Sequence, residues 1–165
     1  MNHLEQLVTE WFEYLGHFVK TSVNVGKRER GGYDGELDVV SIDIVNRRII
    51  HVECGCELTS VDKWNERYAA KFERGRKFIP QILPAHADWP IEQVSVLMFN
   101  TSARREFGGV RSITYAELVK SIEEGLVNTR LNTSAVPSQF GLVRAIQMAM
   151  EARTARDSGQ RLLAA

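Results

Sequence analysis

Two short segments constrain this chain more than anything else in it. They are Gly35-Glu36-Leu37-Asp38-Val39-Val40 and Ile49-Ile50-His51-Val52-Glu53-Cys54-Gly55. Each sets a carboxylate inside a run that otherwise reads as a buried β-strand. Asn46-Arg47 supplies a turn between them, so the two strands are expected to form a hairpin. Side chains alternate across a strand. Asp38 therefore shares a face with Val40 and Ile42, and Glu53 shares one with Ile49 and His51. Gly55 comes next in that row. Burying a carboxylate is costly unless it is paired or holds a metal. Nearby arginines or a cation must balance Asp38 and Glu53 if the hairpin brings them together. With the Cys54 carbonyl as a third oxygen, they would suit a hard ion such as Mg²⁺, with Mn²⁺ as its substitute.

The flanking sequence sets this hairpin in a mixed α/β domain. Leu4, Leu7, Val8, Trp11, Phe12 and Leu15 recur at helical spacing, which predicts a helix over 3–15 ended by Gly16. A strand is expected over 18–25, an exposed turn over 26–35, and strands over 36–45 and 48–54. Thr59 or Ser60 can cap a helix that runs to about Ile82. A strand over 94–99, a loop over 100–109 and an edge strand over 110–114 follow. Helices are expected over 115–126 and 138–156, joined by a polar connection and trailed by a frayed tail from Asp157. The expected architecture is a mixed central β-sheet flanked by helices, with residues 1–135 as the main domain. Residues 136–165 form a C-terminal helix and tail packed on it.

The helix after the hairpin carries two stripes. Trp64, Tyr68 and Phe72 should pack on the sheet. Lys63, Arg67, Lys71 and Arg74 run beside them. With Lys27, Arg28, Arg30, Arg104 and Arg105 they could hold a phosphate backbone, although such a stripe is more often a solvated face.

Over roughly residues 3–80 the chain resembles the PD-(D/E)xK, or restriction-endonuclease-like, nuclease superfamily. The resemblance rests on the first helix with Glu5, the turn at Gly16, the Gly35-Glu36-Leu37-Asp38 segment and the Val52-Glu53 segment. It implies that Asp38 and Glu53 bind Mg²⁺ and that Glu5 supports the metal site. It also implies a lysine two residues after the second acid, where this chain has Gly55. The family can supply that lysine from the following helix, and Lys71 and then Lys63 are the candidates. The implied function is Mg²⁺-dependent hydrolysis of DNA phosphodiester bonds. The alternative is a catalytically inactive module of the same fold that binds DNA or a protein partner.

Composition narrows the field without deciding it. The chain has 165 residues, zero formal net charge, 44% hydrophobic and 25% charged residues. These are ordinary values for a globular protein, and they leave no broad basic footprint of the kind dedicated nucleic-acid binders carry. No stretch is apolar enough to span a membrane and no signal peptide opens the chain, so a cytoplasmic protein is expected. Cys54, Cys56 and His51 would need a fourth ligand and a wider spacing to hold zinc. The amphipathic C-terminal helix could serve a homodimer or a larger assembly, although core packing explains its Met148 and Met150 equally well.

Overall fold

The computed structural model describes residues 2–99 and 106–157. Arg104 and Arg105, and the tail beyond Asp157, lie outside the described residues. The first helix, α1 (His3–Tyr14), starts at a capping box. Asn2 Oδ1 accepts from the Leu4 and Glu5 amides at 2.9 and 3.0 Å, and Glu5 accepts in return from the Asn2 amide at 3.1 Å. Together these bonds satisfy donors that a helix start otherwise leaves open. Gly16, with φ of 87°, then turns the chain into the sheet.

Three antiparallel strands follow: β1 (Phe18–Lys27), β2 (Tyr33–Asp43) and β3 (Arg48–Gly55). The first hairpin runs further than the sequence predicts, because Val25 pairs with Gly35 and Lys27 with Tyr33. The exposed turn therefore shrinks to residues 28–32. At the other end β2 stops at Asp43 rather than continuing to Val45. The Asp43 carboxylate accepts from the Asn46 amide at 3.0 Å and from Asn46 Nδ2 at 2.7 Å. These bonds close residues 44–47 into a turn, a common use of aspartate.

Helix α2 (Val61–Ile82) is capped by Ser60. It crosses over to β4 (Ile91–Leu97), which lies parallel to β3. The strand begins three residues before the predicted one, because Pro90 O already accepts from the Ile49 amide. Two short strands follow, β5 (Glu106–Phe107) and β6 (Val110–Thr114). The sheet order is β1-β2-β3-β4-β6-β5. Strand β6 is thus not the edge expected from the sequence, since β5 pairs on its outer side. That pairing turns on Gly108 and Gly109, both at positive φ.

The last helices are α3 (Tyr115–Leu126) and α4 (Gly141–Asp157). Phe140, predicted to begin the apolar face of the final helix, lies just before α4. Helices α1, α3 and α4 cover one face of the sheet, around Leu4, Val8, Val52, Ile122 and Val143. On the opposite face α2 packs Tyr68, Phe72, Phe78 and Ile79. Glu10, buried on α1, joins the first helix to the last by accepting from the Leu142 and Val143 amides at 2.7 and 3.2 Å. A carboxylate at a helix start satisfies free amides and complements the helix dipole. Among the described residues no helix is long and apolar enough to cross a membrane.

Candidate metal and phosphate site

The pairing of Val39 with Val52 and of Val40 with His51 extends by one step to set Asp38 opposite Glu53. The backbone ladder ends there, and a side chain takes its place: Asp38 Oδ2 accepts from the Cys54 amide at 2.8 Å. A strand residue points its N–H and C=O to the same side. The Cys54 carbonyl therefore faces Asp38 as well. Across the strand, the register sets Ser22 opposite Asp38, and Ser22 holds a left-handed φ of 50°. That conformation is strained for a residue other than glycine.

Helix α2 closes the site from above. Lys71 Nζ lies 3.1 and 2.9 Å from the two Asp38 oxygens and also donates to Glu53 Oε2. Lys63 is exposed in the first turn of α2, where its amide serves the Ser60 cap. Of the two candidates, Lys71 is the one that reaches the carboxylates. The empty place at Gly55 also has a cause. A Cβ at this position would strike Tyr68 Oη and stand 2.9 Å from Leu97 Cδ2. Tyr68 fills the space that a side chain from position 55 would need, and Lys71, one helical turn further on, supplies the charge.

Glu53 is fully buried and has a second partner. His51 Nε2 lies 2.8 Å from Glu53 Oε1, and His51 Nδ1 lies 3.0 Å from Gln93 Nε2. Gln93 Nε2 also donates to Phe72 O at 2.9 Å, while Gln93 Oε1 accepts from Arg76 at 2.7 Å. Arginine only donates and a carbonyl only accepts, so the Gln93 amide has one consistent orientation. His51 Nδ1 must then accept, and Nε2–H must donate to Glu53.

These neighbours drive the two carboxyls apart. Burial pushes Asp38 up, the Glu53 charge adds to the rise, and Lys71 offsets only part of it, leaving a pKa of about 6. Burial also pushes Glu53 up, but the His51 hydrogen bond and the Lys71 charge outweigh it and hold Glu53 below its ordinary value. Burial works against the Lys71 ammonium, yet the Glu53 and Asp38 charges raise its pKa. One ammonium thus faces two carboxylates.

Beside this triad is a cavity of about 140 Å³, lined by Glu5, Asp38, Cys54, Arg67 and Lys71 among others. Glu5 lines it while its carboxylate serves the α1 cap. Arg67 pairs with Glu57 at 2.5 Å. Further out, Arg28 pairs with Asp34 at 2.9 Å, and Lys27 and Arg30 are exposed. The Arg74 guanidinium lies over Gly35, where a Cβ would collide with it. Arg28, through its hydrogen bond, and then Lys77 and Arg74, through their charge, lower the pKa of Asp34. The basic residues of the hairpin tip and of α2 therefore gather near one another.

The donor set suits a hard divalent ion. Mg²⁺ is typically held by one or two carboxylates and keeps several waters. Two converging carboxylates, a carbonyl and an adjoining polar cavity match that demand, and a single lysine leaves the pair with net negative charge. Among the described residues no group of three or more His, Cys, Asp or Glu side chains is placed to hold a metal ion, so the two carboxylates and the Cys54 carbonyl are the whole donor set. The zinc arrangement is ruled out by the strand alternation. Cys54 packs in the core on the α1 side, His51 faces α2, and Cys56 is exposed. A larger cavity of about 390 Å³ lies on that α1 side among Leu4, Leu7, Met98, Val119, Leu142 and Ile146, and its lining is apolar.

The sequence reading missed Gln93, Arg76 and the filling of position 55 by Tyr68. Spacing alone gives no sign of the first two, because both join the site through the crossover to β4. No protein-family model matches the chain, and comparison with curated proteins finds no match.

Proposed function

We propose that this protein is a Mg²⁺-dependent nuclease that hydrolyses phosphodiester bonds in DNA, a variant of the PD-(D/E)xK plan with its lysine on the following helix. The observation that carries this reading is the position of Lys71 Nζ between Asp38 and Glu53, in a chain whose Gly55 carries no side chain and lines the same cavity as Lys71. Asp38, Glu53 and the Cys54 carbonyl would hold the ion, and Glu5 would support it from the cavity wall. Such an ion, when bound, lowers the pKa of water and offsets charge on a phosphate in transit. The protein's own groups do the rest. Lys71 would add a fixed positive charge beside the phosphate oxygens, preorganised by its bonds to Asp38 and Glu53. Arg67, Arg74, Lys27, Arg28 and Arg30 position the DNA backbone through its phosphates.

One observation favours a second reading, a nuclease-fold module that binds DNA or a protein partner without cutting. Lys71 already bonds both carboxylates and occupies the space between them. The test incubates the protein with labelled single-stranded, duplex and branched DNA in Mg²⁺, Mn²⁺ or EDTA. Metal-dependent products that vanish in Asp38→Ala support the enzyme. Binding without products favours the module. Undiminished cleavage by Asp38→Ala overturns the site assignment.

A further inference from the structure

Glu53 has two oxygens, and the structure assigns each a separate task. Oε2 meets Lys71, which itself lines the cavity, and Oε1 meets His51. We propose that His51, locked by Gln93 and given room by Gly75, is a positioning unit that fixes the Glu53 carboxylate for cation binding. This inference rests on the metal-dependent reading of the same site.

The unit is built from four connected hydrogen bonds and one ring contact. Arg76 orients the Gln93 amide, and Gln93 bonds at once to the Phe72 carbonyl and to His51 Nδ1. The imidazole is therefore held as the Nε2–H tautomer, with its one proton aimed at Glu53. Phe72 also packs edge-on against the ring at 5.7 Å, which blocks rotation away from the carboxylate. His51, like Glu53, is fully buried and does not itself line the cavity; it reaches Lys71 and the cavity only through Glu53. It is thus placed to act through Glu53 and not on a substrate.

Gly75 supplies the independent sign that this arrangement is specified. A glycine inside a helix is less favourable than alanine. At position 75 a Cβ would overlap the His51 ring and stand 2.9 Å from Gln93 Nε2. The helix gives up a better residue so that the histidine and glutamine can fit beneath it. Partners of this kind, behind a metal ligand, set its orientation and basicity, and their loss typically costs about 10- to 100-fold in metal affinity.

The test measures Mn²⁺ binding to the full chain by calorimetry, without DNA, together with the thermal melting of each variant. His51→Leu removes the donor and is expected to weaken Mn²⁺ by about 10- to 100-fold. His51→Gln, whose amide can reach the Nε2 position, is expected to recover most of that loss. Gly75→Ala touches no carboxylate, and its methyl should displace the ring and weaken Mn²⁺ as well. Nitrogen NMR of the wild-type imidazole requires no variant, so it stands even where His51→Leu fails to fold. The Nε2–H tautomer is expected, and an Nδ1–H tautomer overturns the proposal. Folded His51→Leu with wild-type Mn²⁺ affinity overturns it too, and leaves the metal site standing. A wild-type protein that binds no Mn²⁺ overturns both the unit and the nuclease reading.

Discussion

Strand β2 carries two buried aspartates five residues apart, and they live in opposite electrostatic worlds. Burial raises the Asp43 carboxyl, but hydrogen bonds from the Asn46 side chain and amide and from Arg48, with the His17 charge, bring it down to about 2. Burial raises Asp38 too, Glu53 beside it adds to the rise, and one amide and one shared ammonium offset only part of it, so its carboxyl sits at about 6. Asp43 has donors to spare and shapes a turn. Asp38 is short of positive charge, and it adjoins an open cavity. A strongly perturbed group of that kind in a cleft is a common mark of a functional site. Burial alone does not separate the two residues; the number and type of their partners does.

The largest expected effect breaks this comparison if it is wrong. Asp38→Ala should abolish metal-dependent cleavage while leaving a folded protein. Asp43→Ala should do the reverse. It removes the acceptor of the 44–47 turn, which should cost about 1–3 kcal/mol of stability, and the folded fraction should cut DNA at the wild-type rate. Parallel cleavage assays and thermal melts check both. Equal loss of cleavage in the two variants would show that β2 needs both aspartates for the same purpose.

The next effect concerns the shared cation. Asp38 and Glu53 depend on Lys71, whereas Asp43 draws on several independent donors. Lys71→Met should therefore leave two facing carboxylates and destabilise the fold by about 3 kcal/mol near pH 8. The loss should shrink toward pH 5, because protonating Asp38 relieves the repulsion. Denaturant melts at the two pH values read this directly. Cleavage should fall on the order of 100-fold, the cost of removing one preorganised group that stabilises charge.

Titrating stability against pH sharpens the contrast further. Asp38 holds its proton more tightly in the folded chain than in the unfolded one. Its contribution is fully present below about pH 4 and is lost as the pH rises through about 6. The rise from 3.8 to about 6 corresponds to about 3 kcal/mol, at roughly 1.4 kcal/mol per unit. Asp43 has the opposite sign. Its contribution is present above its unfolded value of 3.8 and is lost as the pH falls through about 2. Asp38→Asn should flatten the fall between pH 4 and 6 and leave the acid limb alone. A fall that survives this substitution would place the raised carboxyl elsewhere.

How much of this was legible in the sequence follows from how local each feature is. Asp38 and Glu53 could be paired because a short turn and two-residue alternation determine a hairpin. Lys71 could be named because the family resemblance allows the lysine to come from the following helix; helical spacing sets it beside the stripe of Trp64, Tyr68 and Phe72 but does not by itself separate it from Lys63. The turn-forming role of Asp43 was missed, although Asn46 three residues later is a local cue for it. Gln93 and Glu10 belong to a different class. Gln93 reaches His51 only through the parallel register of β3 and β4, and Glu10 caps a helix more than 130 residues away. The C-terminal helix, read as packed on the domain and as one possible face for a partner, directs Val143 and Gln147 into its own domain. Gln147 Oε1 accepts there from the Val136 amide at 2.9 Å. No periodicity distinguishes that packing from an open interface.

The smallest expected effect tests whether Asp43 truly has donors to spare. Arg48 is partly exposed and also bonds Glu92 at 3.0 Å, so its charge is divided between two acids and screened by water. In Arg48→Ala the Asn46 bonds to Asp43 remain. The loss should be about 1 kcal/mol, the Asp43 carboxyl should move up from about 2 toward its ordinary range, and cleavage should not change. Carbon NMR titration of the Asp43 carboxyl with a thermal melt reads both quantities. A collapse of the turn, or a loss as large as that of Lys71→Met, would mean that Asp43 also hangs on a single cation. The difference between the two aspartates would then lie only in how close each one is to the cavity.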